Sequence, residues 1–251
     1  MNSALWHLEL LRTLRTPGLL IATALMVLFG VTSPIMALYA NEIIAALDPT
    51  GTAPAMPAPT PQSSIATFLS NASGPLLLAN VLIAAMALAF DSRSSRALFY
   101  RTRVHRTAAL ILPRWAVASS VVVLAHILGS LCAWASTSLL LGAVPFWRYL
   151  LGTLLSCVYF TFVTAVVALA AGLVRNVLAV LGVTAGILAA MAILAQVPVI
   201  SEWTPSALTG AQAVLVDSGG AAFFVRALVV TAALNTTCLS LSVWLCSRRE
   251  F

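Results

Sequence analysis

Lysine is absent from this 251-residue chain, and the other charges are few: thirteen arginines and seven carboxylates, with three histidines besides. Charged residues make up 8% and apolar residues 61%, with a mean hydropathy of +1.02. A soluble domain carries about 25% charged residues. This scarcity excludes a water-soluble globular protein and predicts an all-α integral membrane protein. Cysteine is equally sparse. Cys132, Cys157, Cys238 and Cys246 lie in or at the ends of apolar runs, without CxxC or Cys/His spacing, and read as small packing residues; no metal site is expected. There is no G-x-S-x-G, no H-E-x-x-H, no glycine-rich phosphate loop and no carboxylate pair at useful spacing. His126 is the only histidine inside an apolar run, and no glycine-flanked serine partners it, which disfavours an intramembrane serine protease. Nor does a row of carboxylates cross the apolar runs, as the relays of proton- and sodium-driven transporters do. No catalytic site and no cofactor site is expected in this chain. The lack of lysine beside abundant alanine and arginine hints at a GC-rich bacterial genome.

The hydropathy pattern organises what remains. Residues 2–16 carry Glu9, Arg12, Thr13 and Thr16 at helical spacing on one face, with Trp6, Leu10, Leu11 and Leu14 on the other and Arg15 near the end. This predicts an N-terminal amphipathic helix lying in the membrane interface, its Trp6 at headgroup level. Pro17–Gly18 bends the chain into the first of six expected spans: 18–46, 75–90, 115–141, 149–174, 177–197 and 222–246. Ala37-Leu-Tyr-Ala40 resembles a small-residue cleavage site, but the leader before it is too long and too amphipathic for a signal peptide. The stretch 48–64, with Pro49, Pro54, Pro57, Pro59 and Pro61, reads as an exposed loop, followed by a short helix over 65–72. Residues 198–221, with Trp203 and Pro205, form a second loop segment on the same side. The whole of 1–251 is expected to be a single transmembrane domain, so any ATP-hydrolysing part would belong to another chain.

Eleven of the thirteen arginines fall on one side of this six-span arrangement; only Arg148 and Arg226 fall on the other. By the positive-inside rule, both termini and the segment 91–114 are cytoplasmic. Topology therefore accounts for the net charge of +6, and no nucleic-acid partner is inferred. In the basic segment Arg93, Arg96, Tyr100 and Arg103 recur at helical spacing, joined by Asp91, Leu98, Phe99, Arg101 and Arg106. One reading is a docking face, in which Leu98 and Phe99 seat in a partner's groove while arginines meet acidic groups or lipid headgroups. The other is a solvated loop whose charges serve topology alone; the helical pattern and its aromatics favour docking. His126, Asn80 and Asn235 are the polar residues to note inside spans. Each either bonds a neighbouring helix or lines a pathway.

The leader Trp6-His-Leu-Glu-Leu-Leu-Arg-Thr-Leu-Arg-Thr-Pro17, the loop Asp91 to Arg106 and the stretch Trp203-Thr-Pro-Ser-Ala-Leu-Thr-Gly-Ala occur in this order in a six-span chain with both ends inside. The whole chain thereby resembles an ABC-2-type transporter permease, the membrane subunit of a bacterial ABC exporter. In that family the leader is an interfacial elbow helix, the loop after span two is a coupling helix seated on the ATPase, and the stretch between spans five and six folds as short re-entrant helices near the exit. Where the family's coupling loop carries an E-x-x-x-G-T pattern, this chain has Ser94 and Ser95. The resemblance implies two permeases, a second copy or a paralogue, assembled with two ATPase subunits that hold the ATP and Mg. It also implies a path between the permeases lined by spans one, two and five, and efflux of a lipophilic drug, antibiotic or lipid-like substrate across the bacterial inner membrane. Two other classes stay open: a non-transporting anchor, immunity or assembly protein, and a secondary transporter.

Overall fold

A computed structural model of the chain describes residues 3–47, 58–89, 107–217 and 219–248. In chain order the helices are α1 (Ser3–Arg15), α2 (Gly18–Leu38), α3 (Ala40–Leu47), α4 (Pro61–Ser73), α5 (Pro75–Leu88), α6 (Ala108–Leu140), α7 (Phe146–Leu173) and α8 (Val177–Leu194). After the short α9 (Pro198–Ser201) and a 3-10 turn over Pro205–Gly210 come α10 (Ala211–Val216), a second 3-10 turn over Ala221–Phe224 and α11 (Val225–Arg248). There is no strand among the described residues. Six stretches are long and apolar enough to cross a membrane: 18–38, 61–88, 108–140, 146–173, 177–194 and 221–248. The protein is a multi-pass helical membrane protein.

Local chemistry explains most of the helix ends. Thr60 and Ser63 form a reciprocal capping box at the start of α4, their hydroxyls accepting from each other's backbone N–H at 3.1 and 3.0 Å, and Pro61 occupies the first turn. Asn176 Oδ1 caps α8 by accepting from Leu178 N–H at 3.0 Å. The 14 residues of α5 reach about 21 Å at 1.5 Å each, short of a hydrocarbon core of about 30 Å. The crossing is completed by α4, which joins α5 at a break over Gly74–Pro75.

Five boundaries differ from the sequence reading. The first span ends at Leu38, not 46: Tyr39 leaves helical geometry, and the exposed α3 carries Asn41 and Glu42 beyond the apolar run. The third helix begins at Ala108, not Trp115. Pro113 lies inside it, where it costs one backbone bond near the helix start rather than ending a loop. Arg114 is therefore a helix residue and not a loop residue. The fifth helix stops at Leu194, and the second and sixth candidate stretches start at Pro61 and Ala221, ahead of the expected 75 and 222.

The bundle is organised around α7, whose apolar stretch is 67% buried, against 11% for α8. Tyr159, Phe160, Phe162, Val163, Val166 and Val167 form its core face, packed with Val121, Val122 and Ala125 of α6 and Leu208, Ala211 and Leu215 from the segment before α11. The closest helix pair is α2 with α6. A Cβ added at Gly129 would lie 2.7 Å from the Met26 carbonyl oxygen, and one at Gly30 would be 3.2 Å from Ala133 N. Such approach of backbones is the main source of helix association where lipid removes the hydrophobic difference. Pro34 takes from α2 the N–H that would bond the Gly30 carbonyl; the Ser136 hydroxyl of α6 lies within hydrogen-bond reach of that carbonyl at 3.1 Å and of the Cys132 carbonyl of its own helix at 2.7 Å, its one proton shared between them.

Enlarging either glycine at this crossing should therefore cost stability. Gly30→Leu and Gly129→Leu are expected to lose about 1–3 kcal/mol or more, read as a lowered Tm in detergent. Gly182→Leu and Gly186→Leu on α8, where an added Cβ meets nothing within 4 Å, should leave Tm unchanged. Equal effects at all four positions would contradict this packing.

Candidate functional site

Two polar clusters stand out in an otherwise apolar bundle, one toward each end. The first joins α1 to α6. Glu9 is 5% exposed and Arg114 2% exposed, and Arg114 Nε donates to Glu9 Oε1 at 2.7 Å. Arg12 Nη1 donates to Glu9 Oε2 at 3.3 Å, while its Nη2 donates to the Met86 carbonyl near the end of α5 at 3.4 Å. A carboxylate taken out of water needs such partners; α6 supplies Arg114 and α1 supplies Arg12 as it turns its polar face toward the bundle. Leu8, Leu10, Leu11 and Leu14 stay exposed on its other side. The sequence reading groups Glu9 and Arg12 on one face; the structure adds that this face is the buried one.

The second cluster lies where α6, α7 and α10 meet. Gln212 is fully buried, and its Nε2 donates to Ser130 Oγ of α6 at 3.1 Å and to Thr153 Oγ1 of α7 at 2.9 Å. Thr153 spends its own proton on the Tyr149 carbonyl at 3.0 Å, so it can only accept from Gln212. That fixes which end of the amide faces it. Ser130 Oγ lies 3.5 Å from His126 Nε2, at the long limit of a hydrogen bond. The His126 ring is fully buried, 4.4 Å from the Phe160 ring and 6.2 Å from Phe68. His126 Nδ1 and Gln212 Oε1 have no hydrogen-bond partner among the described residues. Gly152 makes room for this arrangement: a Cβ there would lie 2.5 Å from Gln212 Cα.

The remaining residues singled out in the sequence are dispersed. Asn80 is buried in α5 with Nδ2 unpartnered, and Asn235 sits half-buried in α11 with Oδ1 unpartnered; no hydrogen bond brings either to His126. Trp203 stacks under Arg226, 5.4 Å from its guanidinium, and Arg226 pairs with Glu202 at 3.1 Å on the surface. Pro205 is buried and opens the 3-10 turn that leads into α10. Trp6 is half-buried and Arg15 exposed on α1. Asp91, Arg93, Arg96, Phe99, Tyr100, Arg101, Arg103 and Arg106 lie outside the described residues. No three His, Cys, Asp or Glu side chains gather as metal ligands among the described residues. An apolar groove of about 490 Å³ runs between α5 and α8, lined by Leu78, Leu82, Leu181, Thr184 and Leu188 among others.

Gln212, Ser130, Thr153 and the Glu9–Arg114 pairing are not evident from sequence patterns alone. The available signal is a lone amide in the apolar run Ala211–Val216, of the kind that is costly within a bilayer unless it is bonded. No protein-family model matches the chain, and comparison with curated proteins finds no match.

The first cluster makes a quantitative forecast. Glu9→Ala removes the carboxylate held 2.7 Å from the buried Arg114 and should cost about 3 kcal/mol or more, whereas Arg12→Ala, at a partly exposed pair, should cost about 0–1 kcal/mol. Thermal unfolding of the purified variants in one detergent compares them directly. Similar losses for the two would mean that burial of the Glu9–Arg114 pair is not decisive.

Proposed function

We propose that this chain is the permease subunit of an ATP-driven exporter of the ABC-2 type, carrying a lipophilic drug, antibiotic or lipid-like substrate outward across a bacterial cytoplasmic membrane. The observation that supports this best is the clasp made by α1. Through Glu9 it holds Arg114 near the start of α6, and through Arg12 it reaches Met86 near the end of α5. These two helices flank the segment 91–106. A force applied to that segment by an ATPase subunit passes into α5, α6 and α1 together rather than into a free loop. The exposed leucines of α1, with Arg15 and the half-buried Trp6, suit a helix lying at the cytoplasmic membrane surface.

In this reading two ATPase subunits, which bind the ATP and Mg, close on nucleotide and push on the arginine segment. The bundle responds by a population shift between inward-open and outward-open arrangements. The path lies between two permeases along spans one, two and five, and the α5–α8 groove lies between spans two and five. This chain holds no nucleotide and performs no bond chemistry.

Affinity-tagged chain, extracted in mild detergent from its native host, should co-elute with an ATPase subunit and hydrolyse ATP. Arg101→Glu or Arg103→Glu should reduce that co-elution by about tenfold through charge reversal at the contact, with membrane insertion intact. An ATP-inert protein without an ATPase partner, under conditions that preserve a known ABC complex, would favour the anchor or secondary-transporter class. Undiminished docking and transport in both variants would remove the role given to these arginines.

A further inference from the structure

We propose that the arginine end of α11 binds the headgroup phosphate of an anionic phospholipid, with the Arg248 guanidinium as donor and the Trp244 indole as the platform that positions it. The buried side of α11 is marked by Thr231, Ser242 and Cys246. At about 3.6 residues per turn, Leu241, Trp244 and Arg248 fall on the opposite side, and all three are exposed. In a spanning helix that side faces lipid, so Trp244 and Arg248 are presented to the membrane and not to the bundle. Arg248 is the last residue of the helix, yet its Cζ lies 4.1 Å from the Trp244 ring centroid. Its side chain therefore runs back along the lipid-facing side to a residue one turn earlier. This keeps the charge off the helix end, where the last free carbonyls repel an anion. It holds the guanidinium instead at the flank, beside an indole of the kind that sits at headgroup level.

The protein contains a second arginine–indole pair, and the contrast is informative. Arg226 lies 5.4 Å from the Trp203 ring and pairs with Glu202 at 3.1 Å. Arg248 is closer to its indole and has no carboxylate partner among the described residues. Nor do the described residues have one to spare at this end: Glu9 is shared by Arg12 and Arg114, and Glu42, Glu202 and Asp217 lie beyond the other ends of their spans. Helices α7 and α11 emerge here side by side, since a Cβ at Gly172 would lie 3.3 Å from Ser242 Cα. Against Glu250, the sequence sets Arg175, Arg248 and Arg249 at this end, an excess of positive charge. A phosphate supplies the counter-charge and accepts from the guanidinium fork. A free phosphate would leave Leu241 and the indole uncovered; one joined to acyl chains covers them too, which assigns the anion to a lipid. The site does not depend on the permease reading, and its test needs no ATPase.

The test places the full chain in nanodiscs of phosphatidylcholine doped with a phosphatidylglycerol probe that carries a diazirine at the top of one acyl chain. After illumination, peptide mass spectrometry counts adducts on residues 237–248 alone. This separates the site from lipids held by the other arginines. The phosphatidylglycerol probe should label about fivefold more than a phosphatidylcholine probe with the same chains, the scale of one arginine at an anionic lipid surface. Arg248 is exposed, so Arg248→Gln should fold normally, and it should bring the two probes level. Trp244→Leu, which keeps an apolar surface and removes the platform, should cut the preference about twofold, the scale of a cation–π contact. Arg148→Gln, at the opposite end, should leave it unchanged. Unlabelled phosphatidylglycerol should compete, and inorganic phosphate should not. Equal labelling by the two probes, or a preference that survives Arg248→Gln, overturns the site. Competition by inorganic phosphate as strong as that by phosphatidylglycerol makes the ligand a soluble anion and overturns the lipid assignment. A preference unchanged by Trp244→Leu overturns the role given to the indole.

Discussion

A guanidinium can be buried in a helix bundle only beside an acceptor that replaces its hydration, and the arginine end of this protein is arranged around that requirement. The cost of dehydrating Arg114 and Glu9 separately is several kcal/mol each. Placing them 2.7 Å apart recovers much of that cost, and in doing so it fixes where α1 lies. Once α1 is pinned, Arg12 falls within reach of the Met86 carbonyl. The ends of α5 and α6 are then tied through a third helix that is not their neighbour in sequence. Pro113, next to Arg114, removes one helix bond at the same place. One ion pair thus converts three chain segments into a single mechanical unit.

The same rule, that polar groups within a membrane must be satisfied by the protein, governs the rest of the bundle. Ser136 brings its hydroxyl within reach of the carbonyl that Pro34 leaves free in α2, at 3.1 Å, while also facing the Cys132 carbonyl of its own helix. Ser64 and Thr137 bond at 2.8 Å between α4 and α6, Ser119 bonds Thr164 between α6 and α7, and Ser242 donates to the Ala168 carbonyl at 2.6 Å between α11 and α7. Each of these contacts relies on small residues that let helices come close, most tightly at Gly30, Gly129 and Gly152. The Gln212 cluster departs from this rule. It satisfies its amide donors and leaves Gln212 Oε1 and His126 Nδ1 without partners among the described residues, as Asn80 Nδ2, Trp115 Nε1 and Thr184 Oγ1 are left elsewhere in the bundle.

Hydropathy made the six crossing stretches legible, because a run of about 20 apolar residues has few other uses. The α-helical class followed from the same constraint. The neighbours of Glu9 and Arg114 were less legible. Counting Arg114 with the arginines of the loop is natural when only topology is considered, and a face bearing Glu9, Arg12 and Thr13 reads as solvent-facing by habits formed on soluble helices. Next to lipid the preference inverts, and the polar face of α1 turns inward. His126 was legible as a polar residue in a span, but the Ser130 hydroxyl that lies between it and Gln212 was not a visible link. That arrangement depends on the fold-back of α10 over Gly152, a tertiary event with little in the sequence to announce it.

The two clusters are linked by α6, which carries Arg114 and Ser130, and this constrains how a signal could pass between them. Along most of its length α6 is held: to α1 through Glu9, to α2 through the contact at Gly129, and to α7 through Ser119 and Thr164. A rigid tilt of α6 alone would break its glycine contact with α2 before it moved Ser130 appreciably, since Ser130 adjoins Gly129. Nor can α6 splay from α7 at this level: Ser130 and Thr153 lie near the end where residues 141–145 join the two helices and Trp134 Nε1 donates to the Val144 carbonyl at 3.0 Å. Gln212 adds a bridge at that same end, its one NH2 group bonding Ser130 and Thr153. The α6–α7 pair is freer to separate at its other end, where Ser119 and Thr164 supply the bond between the helices. Work done at the Arg114 end therefore acts first on the separation of α6 and α7 around Ser119, with the joined end as its pivot.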